Sequence, residues 1–203
     1  MERMHSQVAQ AVGAGLILLS KDSYRFLHDR VQEAAYSLIP QEQRAEMHLR
    51  IGTAMASHTA EDKLEEGIFE IVNQFNRGLH LITSTAQRER IAGLNLVAAR
   101  RAKNSTAYTS ALQYLHAGRG LVTEQTWGQK HEHAFSIECL TAECELLTKD
   151  MAAAEERLTA LAGRAKSAHD TAIVTRLRLT LYTALDRSDL GVAVFIDYMR
   201  GRG

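Results

Sequence analysis

The sequence predicts a mainly α protein: a short β-hairpin near the N-terminus, then antiparallel helical hairpins stacked side by side into a superhelix. Three observations carry this. Only one proline, Pro40, occurs in 203 residues, and the stretches between turn signals are rich in Ala, Leu, Glu, Gln and Arg, all good helix formers. Apolar residues recur at helical spacing in successive paired blocks. Only the stretch from Gly15 to Leu27 departs from that pattern, with GLILLS, a KDS turn and YRFL reading as two short strands.

The elements follow in order. His28 to Ile39 carries Val31, Ala34, Ala35 and Leu38 on a helical face and stops at Pro40. A second helix, Gln41 to His58, stacks Met47, Ile51 and Met55 four apart. Between Glu61 and Arg77, Leu64, Ile68, Ile71, Val72 and Phe75 form one stripe, and Gly78 is a stop signal. Helices then come in pairs. Ile91, Leu94, Ala98 and Ala102 precede Tyr108, Ala111, Leu112 and Leu115, with Asn104 and Ser105 between them as capping candidates. Ile137, Leu140, Cys144 and Leu147 precede Met151, Ala154, Leu158 and Leu161 across Asp150. Leu177, Leu181 and Leu185 precede Leu190, Ala193 and Val194 across Ser188.

Laid over one another, the pairs give an internal repeat. Tyr108, Met151 and Leu190 correspond, as do Ala111, Ala154 and Ala193, with shifts of 43 and 39 residues. A bulky residue three before a small Ala suits close antiparallel packing, because the Ala lets the partner helix approach. The pattern resembles degenerate tetratricopeptide-like repeats.

Composition narrows the function. Basic and acidic residues balance at 24 each, and the arginines are spread along the chain, so general binding to a nucleic-acid backbone is not expected. No run approaches the roughly 20 apolar residues that span a bilayer, and Met1 to Gln10 lacks the h-region of a signal peptide. Neither a nucleic-acid nor a membrane partner is expected, and the chain reads as cytoplasmic. Cys139 and Cys144 lie five apart on a helix, pointing to different parts of its surface; they read as core fillers, not a disulfide.

The words YRFLHDRVQEAAYSLIPQEQRAEMHLRIG, IFEIVNQFNRG and ERIAGLNLVAARRAKNSTAYTSALQYLHAGRGL, in that order, resemble the segment behind the ATPase core in very large bacterial signalling proteins. Those proteins join a serine/threonine kinase-like domain, a STAND-type AAA ATPase, helical repeats, a GAF domain and often a histidine kinase. The resemblance weakens beyond about Thr148. It implies that residues 1–40 end a winged-helix region and 41–203 form the helical-repeat domain. It also implies a non-catalytic regulatory segment that couples an ATPase switch to kinase output. Its partners would be the ATPase and kinase domains of the parent chain, together with proteins that the sequence does not name. The alternative is a segment of a STAND-type ATP-dependent transcriptional regulator, whose DNA-reading domain would lie beyond Gly203.

Within the resemblance, Leu27-His28-Asp29 is similar to the Met-His-Asp signature that closes the winged helix of STAND ATPases. It implies that His28 senses the β-phosphate of ADP in the intact parent, with Asp29 beside it. The plain reading is a helix start, where Asp29 favours the positive end of the dipole. No cofactor is expected in this chain itself, ATP and ADP belonging to the parent. The P-loop pattern is missing: Gly163-Arg164-Ala165-Lys166-Ser167 has no Gly before its Lys. His28-Asp29-Arg30 reverses the kinase order and lacks the downstream Asn and D-F-G. No catalytic residue is expected.

Other clusters read as structural. His131-Glu132-His133 reads as solvated surface, since helical residues two apart diverge by about 200° and cannot close on one metal ion. No metal site is expected. His48 and His116 read as packing histidines. Arg100, Arg101 and Lys103 suit the negative end of a helix. Glu155-Glu156-Arg157 reads as a solvated face, and Trp127 as the anchor of a loop.

Overall fold

The computed structural model describes residues 2–20, 23–60 and 63–201. Among them it is mainly α, with eleven α-helices and one two-stranded antiparallel sheet. Two compact units divide the chain, Met1–Met47 and His48–Gly203, with the division falling inside α3, Gln41–His58.

The first unit opens with α1, Glu2–Gly13. Gly15, at φ 69°, ends it by letting the Leu16 and Gly15 amides reach back to the Ala11 and Val12 carbonyls. Strands β1, Ile17–Ser20, and β2, Ser23–Phe26, pair from Ile17 opposite Phe26 to Ser20 opposite Ser23. The expected hairpin is therefore present; Lys21 and Asp22 of its turn lie outside the described residues. Helix α2, Asp29–Ser37, stops before Pro40. Leu38, expected on its apolar face, is instead 83% exposed. The Arg44 guanidinium lies 4.7 Å over the Tyr36 ring and bonds the Ile39 carbonyl, fixing the chain around Pro40. None of the residues whose burial is described in this unit is buried.

The second unit holds the core. On α3 the buried residues are His48, Gly52 and Ala56; of the expected stripe Met55 packs on the core, but Met47 and Ile51 are exposed. The reason is close approach, because a Cβ at Gly52 would come within 3.1 Å of the Phe75 ring. Helix α4, Ile68–Asn76, is shorter than the expected 61–77, and residues 63–67 form turns. Its stripe is as expected, with Ile68, Ile71, Val72 and Phe75 buried and Leu64 packed against the same core.

Three helix pairs follow. They are α5, Thr85–Asn104, with α6, Tyr108–Arg119; α8, His131–Leu147, with α9, Met151–Ala162; and α10, Ala168–Ala184, with α11, Ser188–Arg200. Short α7, Glu124–Gln129, is capped by Thr123 and joins the first pair to the second. Helix α6 packs on α8 and α9 on α10, while α5, α8 and α10 touch in sequence along the stack.

Every pair reverses at one non-glycine residue in the left-handed region: Thr106 at φ 60°, Lys149 at 65° and Asp186 at 55°. At each, the amide of the following residue bonds back five residues, Ala107 to Ala102, Asp150 to Glu145 and Arg187 to Tyr182. The left-handed residue itself donates to Lys103, Leu146 or Thr183. This settles the first turn differently from the capping expected of Asn104 and Ser105, neither of which caps α6 by its side chain. Across Asp150, by contrast, the aspartate does cap α9, accepting from the Ala153 amide.

The shared turn also fixes the repeat register, with shifts of 43 and 37 residues between left-handed positions. Ala111 and Ala154 are fully buried as expected. Ala193 is exposed, however, and Gly191 takes the small position against Leu179 and Tyr182. The sequence alignment of the third pair was two residues out because Leu190 and Ala193 mimic the bulky-then-small spacing.

A side chain costs about 1–2 kcal/mol in the left-handed region, and Gly removes that cost while adding unfolded-state entropy. Thr106→Gly, Lys149→Gly and Asp186→Gly are each expected to stabilise the fold by about 0.5–1 kcal/mol. The β-branched Thr106 should gain most, and the three gains should be near additive. Urea denaturation of the single and triple variants checks this; a loss of stability at all three would contradict the turn geometry.

Candidate functional site

His28 stands at the start of α2, extended at φ −137° and ψ 142°, and its carbonyl accepts the Val31 and Gln32 amides. Its side chain makes no capping bond. Leu27 closes the hairpin by donating its amide to the Leu16 carbonyl, so the sheet delivers His28 directly to the helix. His28, Asp29 and Arg30 are all exposed, and Asp29 sits in the first turn, where the helix dipole favours a carboxylate. An exposed imidazole at a strand-to-helix junction can donate to an anion brought against it.

In the second unit the polar side chains are arranged less openly than their sequence suggested. Arg157 is not on a solvated face: only 12% of its side chain is exposed, and it bridges Glu145 and Glu138 of α8. Burial opposes its charge, but the bonds to Glu145 and Glu138 raise its pKa above the ordinary guanidinium value. Arg119 of α6 reaches the same Glu138 at 2.7 Å, so one carboxylate ties three helices together. Above this network a cleft of about 290 Å³ opens between Arg119, Trp127, Arg157 and Arg164. Trp127 belongs to α7 rather than to a loop, with the Arg164 guanidinium 4.4 Å from its ring. Glu155 accepts a bond from the Tyr182 hydroxyl.

The histidine pair at the start of α8 is also not solvated surface. His131 Nε2 lies 2.9 Å from the Asp170 carboxylate, between the rings of Trp127 and Phe135. His133 is partly buried, and its Nε2 has no hydrogen-bond partner. Burial, then the field of Lys130, lowers its pKa, with Glu89 opposing and Arg100 reinforcing. Among the described residues no cluster of His, Cys, Asp and Glu could hold a metal ion.

His48 is the packing histidine expected, buried and bonded to the Gln74 amide oxygen at 2.6 Å. His116, expected to pack, is exposed, because its helix turns Ala111, Leu115 and Gly118 inward instead. Arg101 and Lys103 do more than meet the helix dipole. Arg101 bonds the Glu65 and Glu66 carbonyls and lies over Phe69, and Lys103 pairs with Glu143 at 2.7 Å. Cys139 and Cys144 are free thiols, and burial pushes them up to about 12 and 11 respectively. They are not poised as nucleophiles.

Two buried polar features go beyond the sequence expectations. Asn76 and Asn95 exchange amide bonds at 2.9 and 3.0 Å in the core between α4 and α5. Asp170 accepts the Lys166 and Ser167 amides while Ser167 caps its own amide. The Ser167-x-x-Asp170 spacing could have marked the second, as a capping box.

Removing Arg157 strands the Glu145 carboxylate, while Glu138 keeps Arg119, and breaking a buried pair costs about 3–5 kcal/mol. Arg157→Met is expected to lose that much stability in urea denaturation, and Glu145→Gln in the same chain to recover most of it. Asp170 gives a pH dependence. Burial works against its charge, but the Lys166 amide, His131 and Ser167 together hold its pKa below the ordinary carboxylate value. Its contribution is therefore complete above the unfolded value near 4 and is lost as pH falls through the lower folded value. Asp170→Asn should lower the melting temperature at pH 7, with the gap to the parent closing as pH falls below the ordinary carboxylate range.

No helix among the described residues is long and apolar enough to cross a membrane. No family model matches the chain, and no solved structure does. A hybrid signal transduction histidine kinase G of Dictyostelium discoideum is 26% identical over 204 residues, an alignment that takes in 89% of this chain. The chain spans about 6% of that protein's length. The similarity supports reading the chain as a segment related to signalling proteins.

Proposed function

We propose that the chain is a non-catalytic regulatory and protein-interaction segment of a multidomain signalling protein, coupling an ATPase switch to kinase output. The observation that carries this is the similarity to a signal transduction histidine kinase, which runs over 89% of the chain yet takes up 6% of that protein. A stretch of that relative size suits one module among many.

The two units support different parts of the reading. In the first, Leu16, Leu18, Leu19, Tyr24 and Leu27 are all more than 40% exposed. Such apolar residues suit the wing of a larger winged-helix domain, whose other parts would cover them. His28 would there contact the β-phosphate of ADP bound by the ATPase, with Asp29 holding the start of its helix. In the second unit, stacked helix pairs bury their own cores and keep long side faces for partners. Binding at those faces would bias the switch, and release of the phosphate contact would let the wing rotate. The ATPase and kinase domains of the parent would be the partners within one cytoplasmic chain.

The purified chain is expected to unfold without any nucleotide dependence: ADP or ATP with magnesium should leave its melting temperature unchanged. A rise that saturates with nucleotide concentration, or turnover of ATP, would overturn the non-catalytic reading. In the parent protein, His28→Ala is expected to weaken ADP retention by about tenfold, the worth of one hydrogen bond to a charged group. Unchanged retention would remove His28 from the switch.

A further inference from the structure

We propose that the groove running across α5, α8 and α10 binds an extended acidic segment of a partner protein, with carboxylates of that segment seated on Arg100 and Arg176. The proposal rests on the reading of the stack as an interaction module and names the chemistry of its partner.

The groove is built by the repeat itself. Counted back from the left-handed residue of each pair, positions six and three bring Arg100 and Lys103 from α5. Positions thirteen, ten and six bring Ser136, Cys139 and Glu143 from α8. Positions thirteen and ten bring Ile173 and Arg176 from α10. All seven line one groove of about 360 Å³. It adjoins a second hollow, which shares Arg100 and Ser136 and extends to Lys130 and His133. The first helices of three successive pairs therefore line one continuous strip.

Its charges are unequal. Lys103 is neutralised by Glu143 at 2.7 Å, and Lys130 by Glu89 at 2.6 Å. Glu132 stands exposed at one end. Arg100 and Arg176 are exposed, and neither pairs with a carboxylate among the described residues. Arg119, Arg157 and Arg164, by contrast, are engaged by glutamates. Planar guanidinium groups bind carboxylates with two parallel bonds. Between them Ser136 offers a hydroxyl, Asn104 an amide, and Ile173 an apolar floor. Two separated cations over an apolar floor fit a peptide with acidic and apolar side chains. A nucleic-acid backbone needs a continuous row of cations, which the paired lysines do not supply.

The test titrates the full chain against a fluorescein-labelled ten-residue peptide of alternating Glu and Ala, followed by anisotropy at low salt. Saturable binding is expected, weakening several-fold as salt rises from about 50 to about 200 mM. Arg100→Ala and Arg176→Ala should each raise Kd about tenfold, the loss of one charge-assisted contact. Arg200→Ala, on exposed α11, should leave it unchanged, and circular dichroism should show all three variants folded. The Gln–Ala peptide should not bind. No saturable binding up to about 1 mM peptide, the weak limit of a specific contact, would overturn the proposal. So would equal binding of the Gln–Ala peptide, equal effects of all three variants, or tighter binding of a 20-base-pair DNA through the same arginines. Any of these leaves the non-catalytic reading standing, since that reading answers to the nucleotide titration.

Discussion

A single backbone conformation organises the stack. Each helix pair turns back at one residue held in the left-handed region, and the paired amide bonds that surround it leave no freedom in where the second helix begins. Since the turn is the same at Thr106, Lys149 and Asp186, the helix faces repeat in register from it. Ala111 and Ala154, five residues on, can then admit the partner backbone at the same height. At the third turn Gly191 does this, and its missing Cβ would only have reached ordinary contact. None of the three turn residues is Gly, whereas the hairpin's own helix stop is Gly15. The stack therefore holds its reversals against local strain by packing, while the first unit, which buries none of the residues described, uses the unstrained residue.

The second constraint is polar. Between α6, α8 and α9 the contact is not purely apolar: Glu138 serves Arg119 and Arg157 together, and Arg157 also serves Glu145. Apolar side chains of equal size would hold these helices at least as strongly, because desolvating charges offsets most of their attraction. What the network adds is a geometry that only one sliding position of the three helices satisfies. The Asn76–Asn95 pair acts in the same sense between α4 and α5, each amide leaving the other no unbonded alternative in an apolar surround.

Periodicity made the helices legible, since α4, α5, α6, α8 and α9 bury apolar residues at helical spacing as their sequences imply. It failed where one side of a helix meets a neighbour too closely for large residues. On α3 the bulky Met47 and Ile51 looked inward by type, but Gly52 and His48 take the inner face because the Phe75 ring occupies the space. The third repeat is ambiguous in sequence for a related reason, since residue size alone does not reveal the turn that sets the count. Charged clusters were the least legible. Glu155-Glu156-Arg157 and His131-Glu132-His133 are alike in being short polar runs, yet one member of each is drawn inward by a partner many residues away, Glu138 for Arg157 and Asp170 for His131. Local spacing carries no trace of such long-range pairs.

The same limit explains why Arg100 and Arg176 look ordinary in sequence. Arg100 stands in a basic run whose neighbours Arg101 and Lys103 find partners at Glu65, Glu66 and Glu143, and Arg176 stands on α10 two residues before Arg178. Only the repeat register places both beside one strip. A cation left without a counter-charge inside a folded surface does nothing for the fold. Where the neighbouring Lys103 and Lys130 are already matched by glutamates, the two arginines are the cations of the strip left to meet an outside carboxylate.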